Sequence, residues 1–321
     1  MQVISAEQVH QSLNFPVLIA ALDRAFAGTF HMPARQVFPL TEQEDNHDAF
    51  AVLPSWNDEV IGVKAFTYFP DNGAQQLPTL FSKILLFKRD HGEPLAMVDG
   101  TSVTYWRTAA VSALAAQKLA RPDASRLLLL GTGNLALPLL RAHASVRQLT
   151  EIQVWGRDVK KAEAVVAAFR AEHPALQITA VSDLRAAVRS AEIIVAATGS
   201  AEPLVLGEDV QAGCHVDLLG NHSPDRRECD TELVVKSCVF VDYTPNVVRE
   251  AGELLIPRDE GRFSMEEIFA DLAACCRGVA GRRFTEQITL FKSVGTALAD
   301  LVTAHLVQRQ LSVPENRAEQ S

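Results

Sequence analysis

The sequence has little that would cross-link it, carry it into a membrane or draw it to a polyanion. Its five cysteines, Cys214, Cys229, Cys238, Cys275 and Cys276, are odd in number and include no Cys-x-x-Cys pair, which argues against a disulfide framework or a zinc cluster. They read as small buried apolar residues, and no metal site is expected. No apolar run approaches the ~20 residues of a membrane span, and Met1 leads into an acidic, amphipathic stretch in place of a signal-peptide core. A cytoplasmic protein with no membrane partner is therefore expected. Basic residues are outnumbered, 30 Lys and Arg against 39 Asp and Glu for a net charge of −9, so a nucleic-acid partner, which needs a basic face, is not expected. What is present, 321 residues of which 48% are hydrophobic and 21% charged, suffices for about two globular domains.

The first part of the chain differs in style from the middle. Residues 6 to 28 have helical spacing and end at Gly28, which predicts one or two helices. From Phe50 to Val98 the runs AFAVLP, VIGVKAFTYF, LFSKILLFK and PLAMVD alternate with the turn signals SWND, PDNGAQQ and RDHGE, the pattern of an antiparallel meander. An Ala-rich helix is expected from about Ser102 to Ala120. Strand and helix then alternate, beginning with RLLLLGTGNLALPLLRAHA, residues 126 to 144. Here an apolar run enters a G-x-G-x-x-A set. Gly131 permits the tight turn, Gly133 lets the backbone approach a pyrophosphate past Thr132, and Ala136 lets the helix pack on the strand. The helix N-terminus supplies N–H groups to the anion. The fold class is thus α/β, with a Rossmann dinucleotide-binding domain; a bare structural turn is the alternative. ITAVSD, EIIVAAT and HVDLLG read as further strands, SDLRAAVRSA as a helix, and VVKSCVFVD as a helix-to-strand unit. Thr198 and His222 fall at the carboxyl ends of two such strands, where parallel sheets place their ligands.

The second strand, EIQVWGR, ends in Gly156 and Arg157 and is followed by Lys160 and Lys161. An acid at that point would bond both ribose hydroxyls and repel a 2′-phosphate, whereas an arginine grips the phosphate in bidentate fashion. NADP(H) is preferred on this ground and NAD(H) remains possible. The alternative is that Arg157 and the lysines only solvate a helix start, with Asp158 as its N-cap. Two cations lie where a core would not want them: Lys64 inside VIGVKAFTYF and Arg107 inside VTYWRTAAVSA. Lys64 could face solvent on an alternating strand, and Arg107 could belong to a structural ion pair. Together with Arg35 they could instead receive a substrate carboxylate, Arg107 as a planar fork and Lys64 as a point charge.

The segments GVKAF, LPT, PLAMVDG, YWRTAAVSALAAQKLA, LLGTGNLA, PDRRECD, GEL and TLFKSVGTALADL together make the chain, from about Met32 to about His305, similar to the ornithine cyclodeaminase and mu-crystallin family. The resemblance implies a homodimer, a nicotinamide cofactor, and a Rossmann domain flanked by an α+β substrate-binding and dimerisation domain completed by the C-terminal helix. The expected boundaries are 1–118 for the substrate domain, 119–294 for the Rossmann domain and 295–321 for the returning helix. Arg35, Lys64 and Arg107 match the family's substrate-carboxylate residues. Thr79, Asn134, Leu135 and Thr198 match positions near the cofactor, and Thr108 and Gly220 are counted with them. Lys292, Ser293 and Val294 match a segment that closes over the nicotinamide.

Two departures point to the chemistry. Ornithine cyclodeaminases resemble one another in a Glu three residues before one Pro and an Asp two residues before another. This chain has Ala51 before Pro54 and His222 before Pro224. With neither carboxylate, the δ-ammonium of a diamine would meet Lys64, Arg35 and Arg107 with nothing to offset the repulsion. A substrate with one carboxylate and one imine nitrogen fits better, as in the family's ketimine reductase branch. The expected reaction is NAD(P)H-dependent reduction of Δ1-pyrroline-2-carboxylate to proline and Δ1-piperideine-2-carboxylate to pipecolate. The ring nitrogen must be protonated to accept hydride readily, and His222 or Lys64 is the candidate acid. His222 could instead bond backbone or the cofactor ribose. Ornithine cyclodeaminase, an amino acid dehydrogenase and a non-catalytic dinucleotide-binding protein are the competing readings.

Overall fold

The computed structural model describes residues 1–42 and 48–312. The chain divides into two compact units, Met1–Arg107 with Thr296–Ser321, and Thr108–Gly295. The last nine residues of the expected returning helix, 313–321, lie outside the described residues.

The first unit begins with β1 (Gln2–Ile4), α1 (Ala6–Ser12) and α2 (Phe15–Ala27). The break between the helices is local chemistry. Ser5 and Gln8 form a capping box on α1, while the Asn14 side chain accepts from Val17 N and Pro16 occupies the first turn of α2, so a second helix starts where one continuous helix was possible. Then come β2 (Phe30–His31), β3 (Gln36–Pro39), β4 (Ala49–Asn57), β5 (Val60–Tyr68), β6 (Leu80–Lys88) and β7 (Pro94–Asp99), leading into α3 (Gly100–Leu119). The sheet order is β1-β7-β6-β5-β4-β2, with β3 also on β4. The β4 to β7 meander is antiparallel, and β1 adds in parallel to β7. Alternate residues are buried in part of each of β4 to β6 (Ala51, Leu53 and Ser55; Val60, Gly62 and Lys64; Ser82, Ile84 and Leu86), and α11 (Ala297–Ser312) packs against α2 and on this sheet.

The second unit holds β8 (Arg126–Leu130), α4 (Ala136–Val146), β9 (Glu151–Trp155), α5 (Val159–Glu172), β10 (Gln177–Val181), α6 (Leu184–Ser190), β11 (Ile193–Ala196) and β12 (His215–Leu218). It continues with α7 (Thr231–Lys236), β13 (Cys238–Val241), α8 (Thr244–Glu250), α9 (Gly252–Asp259), β14 (Ala270–Asp271), α10 (Leu272–Cys276) and β15 (Thr289–Lys292). All eight strands are parallel, in the order β10-β9-β8-β11-β12-β15-β13-β14. Leu127 to Leu130 and Ile193 to Ala196 are buried throughout, as strands covered on both faces must be. The order reverses between β8 and β11, which fixes the crevice where a doubly wound sheet binds its ligand.

The division between units falls inside α3, not at its end near residue 118. The physical reason is that one helix serves both: Thr104 and Arg107 bond within the first unit, and Ser112 bonds within the second. Cys214, Cys229 and Cys275 are buried, whereas Cys238 and Cys276 are only half-buried, and among the described residues none of the five forms a disulfide. Among the described residues there is no cluster of His, Cys, Asp and Glu able to hold a metal ion, and no helix long and apolar enough to cross a membrane.

Candidate functional site

In the first unit, Lys64 belongs to the buried row of β5, with Val60 and Gly62, and pairs across the sheet with Leu53 and Ile84. It does not face solvent; its side chain is 5% exposed. Its Nζ donates to Thr104 Oγ1 at 2.5 Å and to Asp300 Oδ1 at 3.1 Å. Arg107 Nε donates to the same oxygen at 3.1 Å, so the ion pair that was the alternative for Arg107 does form. Asp300 engages only Nε, leaving the two terminal guanidinium nitrogens outside this bond. Burial pulls the Lys64 ammonium down to about 8; Asp300 opposes that, and Arg107 and Arg35 add to it. Burial pushes the Asp300 carboxyl up, and the two cations more than offset it, holding the group below the usual carboxylate range. Arg35 lies between β2 and β3, half-buried and close enough to lower the Lys64 pKa.

Ala51, the position that departs from the cyclodeaminase pattern, is fully buried in a small cluster with Leu53 and Ala297, against Met32 and Phe66. Thr79 is exposed at the entry to β6, and its carbonyl accepts from Phe69 N at 2.8 Å.

In the second unit the turns after β8, β9 and β11 enclose a cleft of about 510 Å³. Of the expected cofactor residues, Gly131, Thr132, Gly133, Gly156, Arg157 and Thr198 line it. Trp155, Lys161, Ser200 and Leu204 also line it. Gly131 has φ +116°, and a Cβ there would stand 2.5 Å from Ala197 O, so no other residue makes this turn unstrained. A Cβ on Gly133 would meet no protein atom within 4 Å, so the small residue leaves space in the cleft that packing does not use. Such a cradle fits a dinucleotide pyrophosphate. Asp158 caps α5 by accepting from Lys160 N at 3.0 Å. Asn134 is exposed, and Leu135 is the residue before α4. Thr108 is half-buried on α3.

Behind the turns after β11 and β12 lies an ionic cluster that the sequence reading did not assign. Glu228 accepts from Thr198 N at 2.6 Å, Thr198 Oγ1 at 2.7 Å and Gly220 N at 2.7 Å. Glu253 accepts from Glu228 N at 3.2 Å and pairs with Lys292 Nζ at 2.8 Å. Lys292 also donates to Asn221 O at 2.7 Å, and Asn221 Nδ2 donates to Ser200 O at 2.6 Å. Burial raises the Glu228 carboxyl above its ordinary range, although Lys292 opposes the shift. Lys292 is therefore turned inward with no exposed surface. The segments PDRRECD, GEL and FKSVG meet here. Ser293 Oγ and Val294 N both donate to Asp242 Oδ2, at 2.9 and 3.0 Å, which holds the backbone after β15.

His222 follows this anchored stretch and is exposed. Its loop passes so close to Gly252 that a Cβ there would collide with Arg226 O and stand 2.8 Å from Ser223 O. Asp225 accepts from Ser223 Oγ at 2.7 Å and so orients the loop. Asp217 is a buried residue of β12 that accepts a hydrogen bond from Ser112 Oγ and is raised to about 7 by burial.

A glycine-rich turn at the switch point of a parallel sheet defines the class, a dinucleotide-binding oxidoreductase of Rossmann type, here joined to an α+β unit with a buried cationic pocket. The profile of the ornithine cyclodeaminase/mu-crystallin family matches residues 2–314, and the chain belongs to that family. It is 55% identical to a Delta(1)-pyrroline-2-carboxylate reductase of Colwellia psychrerythraea, over 97% of this chain and 100% of that protein. It is 30% identical to the ketimine reductase mu-crystallin of Rattus norvegicus, with 95% of each covered. The structure of Thermococcus litoralis Delta(1)-pyrroline-2-carboxylate reductase in complex with NADH and L-proline superimposes with a TM-score of 0.90 at 32% identity, covering 97% of both chains.

Proposed function

We propose that the protein is an NADPH-preferring ketimine reductase that converts Δ1-pyrroline-2-carboxylate to proline and Δ1-piperideine-2-carboxylate to pipecolate. The observation that carries this reading is that the buried Lys64 and the half-buried Arg107 share one carboxylate, while Ala51 on the neighbouring strand β4 is apolar and fully packed. Such a pocket favours an anion and offers nothing to a second ammonium group.

Lys64, Arg107 and Arg35 hold the imino acid's carboxylate, the arginines as planar forks and Lys64 as a compact charge. A bound nicotinamide dinucleotide supplies hydride to carbon-2 of the imine. Gly131, Thr132, Gly133, Gly156 and Thr198 bind it, with Asn134, Leu135, Thr108, Thr79, Gly220, Ser293 and Val294 as further cofactor positions. Arg157 and Lys161, both lining the cleft, receive a 2′-phosphate, and because Asp158 is occupied as a cap it does not take the place of a ribose-binding acid. NADH remains a usable donor, as the Thermococcus litoralis complex with NADH suggests for this fold. His222 gives the proton to the ring nitrogen, with Lys64 as the other candidate acid. A homodimer is supported by the exposed aromatic row Phe38, Phe50 and Phe81, in which Phe38 pairs with Phe50 and their rings stack at 6.4 Å.

The test is NADPH consumption with five- and six-membered cyclic imines beside an ornithine deamination assay. Oxidation of NADPH by the imines without ammonia release from ornithine is expected. Ammonia release from ornithine without added reductant would make the protein a cyclodeaminase, and tight cofactor binding with no turnover of any imine or keto acid would make it a binding protein.

A further inference from the structure

Neither Lys64 nor Arg107 stands in the first unit without support. Both reach one carboxylate oxygen, Asp300 Oδ1, each at 3.1 Å, and Asp300 is 1% exposed on the inner face of α11. Its other oxygen, Oδ2, is buried and accepts no hydrogen bond from the described residues. A carboxylate with one oxygen shared by two cations and the other unused is a costly burial for structure alone, since a buried charge normally has its lone pairs satisfied.

We propose that Asp300 is a positioning residue of the anion pocket: through Oδ1 it orients the Lys64 ammonium and the Arg107 guanidinium toward a single ligand carboxylate and keeps Lys64 charged in its buried setting. The role rests on the ketimine reductase reading for the identity of the ligand, and on the geometry alone for the effect on Lys64. Thr104 Oγ1 accepts the second Lys64 proton, so the ammonium is held from α3 and α11 at once. The charged groups that act on Lys64 are Asp300 from α11, Arg107 from α3 and Arg35 from the segment before β3; its strand neighbours Leu53 and Ile84 are apolar. Of these, Asp300 alone favours the charged form. With Asp300 in place Lys64 is mostly protonated below pH 8, and its charge is lost as pH rises through that value.

The experiment reads Lys64 directly. Lysine-selective 15N and 13C NMR, with the Lys64 signal assigned by Lys64→Arg, follows its titration in the full chain without any substrate. In Asp300→Asn the midpoint should fall by about one unit or more, the size expected for removing an opposite charge in contact. In Arg107→Gln it should rise, because a repelling cation is gone. This second variant carries the test if Asp300→Asn does not fold. An unchanged midpoint in Asp300→Asn, or a fall in Arg107→Gln, overturns the proposal. Kinetics then link the shift to the ligand: the basic limb of kcat/KM for a cyclic imine should move with the Lys64 midpoint while NADPH affinity in the absence of substrate stays constant. A limb that stays put while the NMR midpoint moves overturns the positioning role. Moved midpoints in a protein that reduces no imine would instead withdraw the substrate reading and uphold the effect of Asp300 on Lys64.

Discussion

In the first unit two cations, the buried Lys64 and the half-buried Arg107, share the one carboxylate of Asp300, whereas in the second a buried ammonium, Lys292, lies among Glu253 and Glu228. The first has a positive excess, which the proposed function assigns to an anionic ligand. In the second the acids outnumber the ammonium and turn to the backbone instead: Glu228 takes the amides of Thr198 and Gly220, and Lys292 takes the carbonyl of Asn221. On the proposed function, charge serves in one unit to bind an anion and in the other to hold loops. Lys64 and Asp300 are buried as Lys292 and Glu253 are, so burial does not distinguish the two uses. The balance of signs and the kind of partner do.

The comparison breaks most readily at Lys292. Lys292→Met leaves Glu253 buried without its cation and should cost about 3 to 5 kcal/mol of stability. Chemical denaturation measures it; an unchanged midpoint would mean that the second unit's cluster holds nothing. His222 stands exposed on the loop this cluster anchors, so its replacement separates chemistry from anchoring. His222→Asn should lower kcat by about 100-fold, with the greatest loss where the free imine is unprotonated, and should leave the unfolding midpoint where it was. Equal kcat at every pH would pass the role of acid to Lys64 or to water. The anion-binding use of the first unit is sharpened by Arg107→Lys, which keeps the charge but loses the fork. KM for the imine should rise about ten-fold, the worth of one charged hydrogen bond, with NADPH affinity unchanged. A rise in the dissociation constant for NADPH of the same size would show a general structural defect. The smallest effect belongs to the exposed Arg157. Arg157→Asp should move preference toward NADH by about five-fold, the upper range for an exposed charge contact. Parallel loss of both cofactors would show that Arg157 does not read the 2′-phosphate.

Much of this was legible because local rules suffice for it. The G-x-G-x-x-A turn between a strand and a helix marks its own place in a parallel sheet, and its Gly131, Thr132 and Gly133 line the cleft. Lys64 and Arg107 announced themselves as cations in apolar surroundings. The same test applied to TALADLVTAHL would have found Asp300, a carboxylate inside an apolar helix. Glu228 and Glu253 were harder to see, since an acid among PDRRECD or GEL reads as a solvated loop or helix start. For Gly252, in the GEL segment, no neighbour in sequence gives the reason: its need for a missing Cβ comes from a backbone 26 residues earlier, at Arg226.

By itself the sequence determined the elements and their order, because hydrophobic period, capping residues and turn glycines act over a few neighbours: Asn14 starts α2 and Asp158 starts α5 whatever the rest of the chain does. Which charges are partners was decided only by tertiary structure. Lys64 and Asp300 are separated by 236 positions, and nothing short of the packing of α11 on the β4 to β6 sheet brings their side chains within 3.1 Å. The reason is that an ion pair in a low-dielectric interior depends on distance and desolvation, and neither quantity is written into sequence spacing once two elements meet from opposite ends of the chain.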